Sequence, residues 1–288
     1  MRFGLSTHLF HGERLGRDQL ERVRASGFEL IEVFATRTHV DYHDVRAIDD
    51  LARTLDDVGL VVNSVHGPIC ESFSEGVWGR SYSNASSQPA RREEAVAETV
   101  AAFDAAKRLG AASLVVHLGL PRFQDAAPGD NDPTAVRRSL EAMADAGVKR
   151  GVRLALEVMP NTLSTPDALL AILEELDLDA GICLDFGHAH LQGGAPEAAE
   201  ALSGHVITTH VHDNAGALDN HLVPFDGTID WAATLMAMSK VGYAGPLVFE
   251  VADHGDATGV LARTVRARAR LQAILDDLAA PMEFGPSQ

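Results

Sequence analysis

The sequence predicts an α/β fold, a single (β/α)8 TIM barrel, because eight short β-rich segments alternate with amphipathic helical segments along the chain. Its 288 residues match the length of one such barrel, and no segment resembles an interdomain linker. The first strand runs into Ser6-Thr7-His8-Leu9, without the glycine-rich turn that usually follows the first strand of an open doubly wound sheet. These three observations favour the closed barrel.

The predicted strands are short aliphatic and β-branched runs, at Arg2–Ser6, Leu30–Phe34, Val61–Val65, Ser113–His117, Arg153–Val158, Gly181–Asp185, Val206–Val211 and Pro246–Val251. Helical periodicity predicts helices at Asp18–Ala25, Val45–Asp57, Arg91–Leu109, Thr134–Lys149, Pro166–Leu176 and Trp231–Lys240. Several of these helices end at a glycine, and a strand follows within a few residues. We therefore predict one barrel domain over residues 1–280 and an irregular C-terminal tail over residues 281–288.

Composition narrows the classes of partner. The formal net charge of -17 argues against charge-driven binding to nucleic acid, which needs a basic face, and indicates an acidic surface that keeps the protein soluble. The sequence contains no run of 18 or more apolar residues, so no transmembrane helix is predicted, and the first residues lack the features of a signal peptide. The two cysteines, Cys70 and Cys183, do not form a disulfide framework. We expect a cytoplasmic protein with no membrane partner.

The metal-ligand residue types cluster where strands end. From the third strand onward these positions hold His66, His117, Glu157, Asp185, His188, His210, Asp219, His221 and Glu250. Parallel barrel strands bring their C-terminal ends to one mouth, where so many buried carboxylates and imidazoles are costly without a cation. We therefore predict a divalent metal site for Zn, Mn, Co, Fe or Mg.

Each of these residues also has a structural alternative when taken alone. A single histidine at a strand end is often a hydrogen-bonded structural residue, whereas Glu157 and Glu250 lie in apolar strands, where an unpaired carboxylate is expensive. His190 and His212 fit a supporting role or an outward-facing position equally well. The joint pattern over six strands favours the metal site.

Two long loops, Gly67–Pro89 and Gly119–Asp132, follow strands and should lie over the same mouth as substrate lids. Trp78 in the first loop is a candidate to cap a sugar, with packing inside the lid as the alternative. His8 follows the first strand and is a candidate substrate contact. Arg37 follows the second strand and is a candidate for binding a carboxylate or phosphate, with an ordinary surface position as the alternative.

The most specific stretches are Cys183–Ala189, His210–Asn214, Asp219–His221 and Gly227–Asp230. At these residues the chain resembles the xylose isomerase-like TIM barrel superfamily, which contains sugar phosphate isomerases and epimerases and is related to endonuclease IV. The isomerase resemblance implies one metal ion bound by four side chains: Glu157, Asp185, His210 and Glu250. It also implies that the two glutamates move the proton and that His188 contacts substrate. The arginine that often follows the strand-seven histidine is missing between His210 and Trp231.

The nuclease resemblance implies three zinc ions and nine ligands instead of one ion and four, so the alternative to a single ion is two or three. It adds five ligands to the four above, namely His66, His117, His188, Asp219 and His221. The opening residues of the chain resemble the isomerase branch rather than the nucleases, and the fold alone does not decide the function.

We therefore expect a metal-dependent isomerase or epimerase of a small keto-sugar or sugar phosphate, with proton transfer by glutamate through a metal-stabilised enediolate. The alternative is a multinuclear zinc phosphodiesterase or hydrolase of the endonuclease IV type. Lyase or dehydratase chemistry and a non-catalytic sugar-binding barrel remain further alternatives. The expected partner is a carbohydrate-like small molecule, and the resemblance is compatible with a homodimer.

Overall fold

The computed structural model describes residues 1–122 and 126–280, and its eight parallel strands close into a barrel. The strands are β1 (Arg2–Ser6), β2 (Leu30–Phe34), β3 (Val61–His66), β4 (Ser113–Val116), β5 (Arg153–Glu157), β6 (Ala180–Asp185), β7 (Val206–Val211) and β8 (Pro246–Phe249). Each strand pairs with the next one along the chain, and β8 closes onto β1 through pairs such as Leu5 with Phe249. The predicted barrel is confirmed. The predicted tail, residues 281–288, lies outside the described residues.

Helices pack around the outside of the barrel. They are α1 (Arg17–Ala25), α2 (Val45–Val58), α3 (Pro89–Arg108), α4 (Pro133–Arg150), α5 (Pro166–Leu176), α6 (Phe186–His190), α7 (Ala195–Ala201), α8 (Trp231–Lys240) and α9 (Ala257–Ala279). A 3₁₀ turn, Thr7–Phe10, follows β1. The six helices predicted from periodicity are present, and α6, α7 and α9 add to them.

Local sequence signals explain where the helices begin and end. Asp132 accepts hydrogen bonds from the backbone N–H groups of Thr134 and Ala135, at 2.8 and 2.7 Å, and so starts α4. Gly59 ends α2 with a φ of 77°, a left-handed conformation that favours glycine. Such ends keep the connections short and hold each strand end at a defined place on the barrel rim.

Side chains on each barrel strand alternate between two environments. One set joins the main core between the strands and the helices, and includes Leu114, Leu154 and Leu184. The other set faces the barrel interior, where Val115, Ala155 and Cys183 form a separate small cluster. Two residues beyond Ala155 and Cys183, the same interior face carries Glu157 and Asp185. Strand periodicity therefore directs these carboxylates into the barrel rather than toward the helices.

The two long loops lie at the C-terminal mouth of the barrel. The first contains a small antiparallel hairpin in which Phe73 pairs with Trp78. The second is described except for residues 123–125, and its Pro121 lines the same cavity as Trp78. Within the described ranges, no helix combines the length and the apolar character that crossing a bilayer requires.

Candidate metal centre and active site

Four buried side chains converge on one point at the mouth. The Nδ1 atom of His210 lies 3.3 Å from Glu157 Oε1, 3.3 Å from Glu250 Oε2 and 3.5 Å from Asp185 Oδ2. Strand register brings them together, because Asp185 pairs directly with His210 across β6 and β7. One ligand atom from each of the four residues lies within 4.8 Å of the other three. The structure therefore groups the four residues that the isomerase resemblance implies.

The donor set fits a divalent cation. Among the described residues, every ion pair of Glu157, Asp185 and Glu250 is with a histidine. Glu157 Oε2 is buried without a hydrogen-bond partner, although His117 Nε2 and His66 Nε2 lie 3.0 and 3.2 Å away. A buried carboxylate oxygen with an unused lone pair is costly, and a cation among these oxygens and imidazoles would satisfy it.

Three further groups adjoin the four-residue centre, and one of them, His66, His210 and Glu250, shares two residues with it. His66, His117 and Glu157 form the second, and the Nδ1 of His66 donates to the carbonyl oxygen of Gly67 at 2.9 Å. That hydrogen bond leaves Nε2 of His66 free to face Glu157. Glu157 belongs both to this group and to the four-residue centre, so its two carboxylate oxygens face different ligand sets.

The third group consists of His188, His212, Asp219 and His221. Asp219 Oδ2 lies 3.0 Å from His188 Nε2 and 3.2 Å from His221 Nε2, while its Oδ1 is buried without a hydrogen-bond partner. The Nδ1 atoms of His188 and His221 donate to the carbonyl oxygens of Val158 and Glu250. The Nε2 atoms of both rings are thereby directed at Asp219.

His212 lies inside the site and does not face outward. Its Nε2 lies 3.0 Å from Asp185 Oδ2, and its ring stacks on His221 with centroids 3.9 Å apart. Its Nδ1 is buried without a hydrogen-bond partner. Only a residue without a side chain at position 187 leaves room for this ring, since a Cβ on Gly187 would lie 2.0 Å from it. Of the two alternatives that the sequence leaves open for His212, the structure favours a role inside the site, next to Asp185, over an outward-facing position.

Charge pairing controls protonation in this cluster. Burial disfavours the charged imidazolium of His188, but Asp185 and Asp219 outweigh it and raise the pKa of His188 well above its usual range. Burial likewise opposes ionisation of Glu157, but His117 and His210 lower the pKa of its carboxyl group. For His221, Asp219 outweighs burial and raises the pKa to about 9. Without a cation, the site therefore stores protons on histidines beside ionised carboxylates.

Asp213 organises the loop that carries Asp219 and His221. Its Oδ1 accepts from the backbone N–H groups of Asn214 and Ile229, and its Oδ2 accepts from the backbone of Phe225 and the indole of Trp231. A Cβ on Gly227 would lie 2.3 Å from Asp213 Oδ1, so the close approach requires glycine. The motif residues His210–Asn214 and Gly227–Asp230 are thus two halves of one hydrogen-bonded turn.

A cavity of about 550 Å³ opens above the metal-ligand groups, within the size range of small-molecule sites. Glu250 lines this cavity, whereas Glu157 is not a lining residue and lies within 3.2 Å of three histidines that are. In the described parts of the chain, no lysine or arginine lines the cavity. The aromatic side of the wall is a stack in which the His11 ring lies 4.6 Å from His8 and 4.9 Å from Trp78, centroid to centroid.

The candidate substrate contacts fall in different places. His8, Trp78 and His188 line the cavity. Arg37 is exposed, in a turn after β2, and is not among the lining residues. His11 also lines the cavity but was not singled out from the sequence, since it lies beyond the first strand end in a turn.

Sequence reasoning missed Glu32. It lies in β2 with no exposed surface, and its Oε2 lies 3.2 Å from His210 Nε2. The signal was present, because a glutamate in the apolar run Leu30–Phe34 is as unusual as Glu157 in its own strand. It was overlooked because it lies in the middle of its strand rather than at the C-terminal end.

Known proteins share this architecture. The family model described as xylose isomerase-like TIM barrel matches residues 20–274. A ketose 3-epimerase from Arthrobacter globiformis is 29% identical over 161 residues, which are 52% of this chain and 52% of the epimerase. The crystal structure of a D-tagatose 3-epimerase-like protein is 24% identical, with a TM-score of 0.77, and the match covers 97% of this chain and 98% of that chain. The crystal structure of IolI protein with a zinc atom is 17% identical, with a TM-score of 0.76, and covers 96% of this chain and 99% of that chain.

The protonated histidines predict how the metal-free protein responds to pH. A histidine whose pKa is raised in the folded state stabilises that state below pH 6.5 and loses this contribution as pH rises toward about 9, the value for His221. We expect the unfolding temperature of chelator-treated protein to fall between pH 6.5 and 9. Metal affinity should rise over the same interval, because ligand protons must leave. An unfolding temperature that rises with pH in the chelated protein would contradict this assignment of protons.

The turn held by Asp213 predicts a stability effect. In Asp213→Asn, an NH2 group replaces one carboxylate oxygen. This group donates hydrogen bonds and cannot accept them, so two of the four N–H groups lose their acceptor. We expect a loss of roughly 2 to 4 kcal/mol of unfolding free energy, measured by chemical denaturation. Asp226→Asn is the matched control, because Asp226 lies in the same loop with only a half-exposed ion pair to Arg263 at 3.6 Å. Equal effects of the two substitutions would rule out the organising role of Asp213.

Proposed function

The chain belongs to the xylose isomerase-like TIM barrel family, and from this premise and the geometry of its site we propose that it is a divalent-metal-dependent epimerase or isomerase of a small keto-sugar. The observation that supports this most strongly is the convergence of Glu157 and Glu250 on the Nδ1 atom of His210, each at 3.3 Å. The two carboxylates come from β5 and from the residue that follows β8, three places apart in the barrel, and they flank one point beside the cavity.

Glu157, Asp185, His210 and Glu250 are the residues that would hold the cation. When bound there, a divalent cation polarises a carbonyl oxygen and stabilises the negative charge that develops as the neighbouring C–H proton leaves. The mixed oxygen and nitrogen donors are compatible with Zn, Mn, Co, Fe or Mg. The similarly folded IolI structure contains zinc.

The two glutamates would exchange the proton on the carbon next to the carbonyl. Glu250 is part of the cavity wall and would remove the proton from the substrate carbon, which leaves an enediolate. Glu157 lies against histidines that line the cavity. Because its own carboxyl group is held ionised, it would pass a proton from His188, whose Nδ1 lies 3.2 Å from Glu157 Oε1, to the opposite face of that carbon. Return to the opposite face gives an epimer, and proton transfer between neighbouring carbons gives an isomer.

Other cavity residues would bind and orient the sugar. His188 lines the cavity beside Asp219 and would hold a substrate oxygen. His8 is buried, which lowers its pKa, and a neutral imidazole at this position would accept or donate one hydrogen bond to a hydroxyl group. Trp78 and the stacked His11 would cover the apolar face of the sugar.

The charge of the cavity favours an unphosphorylated sugar. Its described lining includes Glu250 and Asp219 but no lysine or arginine. A phosphate dianion would meet the carboxylates of Glu250 and Asp219 there without a lysine or arginine to bind it. The partial match to a ketose 3-epimerase is consistent with a free ketose as the substrate class.

One observation favours a second function. Three of the four ligand groups overlap, because His66, Glu157, His210 and Glu250 each belong to two of them. Shared ligands are typical of multinuclear centres that hydrolyse phosphate esters. This second candidate is a multinuclear zinc phosphodiesterase. Incision of duplex DNA containing an abasic site, together with no proton exchange on any ketose, would favour it over the epimerase.

Substituting either proton-transfer carboxylate tests the epimerase. We expect Glu157→Gln and Glu250→Gln each to slow exchange of the proton next to the carbonyl by roughly 10²- to 10⁴-fold, because an amide cannot accept the proton. The measurement is NMR of a panel of free ketohexoses and ketopentoses in D2O. Glu98→Gln is the control, because Glu98 pairs with His43 at 2.8 Å outside the cavity. Full activity in either active-site variant would disprove the mechanism.

The absence of lysine and arginine from the described lining predicts discrimination between substrates. We expect kcat/KM for a free ketose to exceed that for its phosphate ester by at least about tenfold, because the ester brings a dianion to an acidic cavity. Paired assays of each free sugar and its phosphate, at fixed ionic strength, measure this ratio. A preference for the phosphorylated sugar would contradict the assignment of a free ketose as the substrate class.

A further inference from the structure

Glu32 is a buried carboxylate outside the four-residue centre. It lies on β2 with no exposed surface, among the apolar side chains of Leu30–Phe34. Its Oε1 has no hydrogen-bond partner, and no lysine or arginine pairs with it in the described part of the chain. Burying a carboxylate in this way costs stability unless its contacts serve another purpose.

The hydrogen bonds of Glu32 connect three strands. Glu32 Oε2 accepts from Ser64 Oγ on β3 at 2.8 Å and faces His210 Nε2 on β7 at 3.2 Å. Asn63 Nδ2 in turn donates to Ser64 Oγ at 3.2 Å, so the hydroxyl hydrogen of Ser64 is directed at Glu32. The carboxylate is therefore held in place from β3 and presents one oxygen to the His210 ring.

His210 differs from other ligand-type histidines in how its ring is oriented. His66, His188 and His221 each donate Nδ1–H to a backbone carbonyl oxygen, which leaves Nε2 free to face a carboxylate. His210 is turned the other way, with Nδ1 facing the centre and Nε2 facing Glu32. Glu32 takes the place that a backbone carbonyl takes for the other three.

We infer that Glu32 is a positioning residue that orients the metal-binding nitrogen of His210. By accepting the Nε2 proton it selects the tautomer whose Nδ1 lone pair points at Glu157, Asp185 and Glu250. Carboxylates in this relation to a ligand histidine fix the ring and increase its affinity for a metal ion. Glu32 touches neither the cavity nor the proposed substrate, so its effect passes through His210.

This inference rests on the proposed function only in taking His210 as a metal ligand. The test is the affinity for Zn²⁺, measured by competition with a chromophoric chelator on purified full-length protein after removal of bound metal. We expect Glu32→Gln to bind Zn²⁺ about 10- to 100-fold more weakly than the native chain. The glutamine amide can donate to Nε2 and thereby favour the wrong tautomer.

Two further variants separate positioning from general effects. Glu32→Asp keeps the negative charge but withdraws the carboxylate by one methylene, so it should weaken Zn²⁺ binding to a similar degree. Glu98→Gln removes a Glu–His pair of the same chemistry, at 2.8 Å, away from the cavity and should leave affinity unchanged. The unfolding temperature of the chelated variants reports whether Glu32 matters only for stability. If Glu32→Gln does not fold, Glu32→Asp provides the test.

The outcomes are distinct. Weaker Zn²⁺ binding in both Glu32 variants, with the control unchanged and the metal-free unfolding temperature retained, supports the positioning role. Native affinity in either folded Glu32 variant overturns it, as does an equal loss in the Glu98 control. A native chain that does not bind Zn²⁺, Mn²⁺ or Co²⁺ at all contradicts the proposed metal-dependent function, which is a different result from a failure of the Glu32 inference.

Discussion

Charge compensation at the mouth of the barrel is the constraint on which the rest of this structure depends. Three carboxylates, those of Glu157, Asp185 and Glu250, are buried around one imidazole nitrogen, and histidines are their ion-pair partners in the described chain. Removing charges from water is expensive, so such a cluster persists only when each charge has a close partner. Protonated histidines provide partners in the metal-free protein, and a divalent cation would provide a stronger one.

The barrel architecture makes this clustering possible. Alternation along each strand sends one set of side chains to the helix-facing core and the other to the interior, where Ala155 and Cys183 precede the acidic residues of β5 and β6. Parallel strands then bring residues that are distant in sequence to the same end. The turn built by Asp213 and Gly227 adds Asp219 and His221 from a loop, so strands and loop together form one site.

Much of the fold and the centre could be predicted because both depend on short-range patterns. Helices α5 and α8 and strands β1, β2 and β7 have the predicted bounds, since capping residues and strand periodicity are local. Glu32 was missed because its importance lies in a contact with His210, which is 178 positions away. The position of Arg37 depends on the path of a loop, and the ring orientation of each histidine depends on a tertiary acceptor. Neither is encoded in local periodicity.

The central claim is that Glu157, Asp185, His210 and Glu250 bind a divalent cation. Elemental analysis of native protein and of His210→Ala, both purified without added metal or chelator, tests it most directly. The account predicts about one divalent ion per native chain, as a mononuclear centre requires, and its loss from the variant. About three ions per chain would instead favour the multinuclear hydrolase. A native chain that contains no metal and takes up none when Zn²⁺ or Mn²⁺ is added would contradict the account.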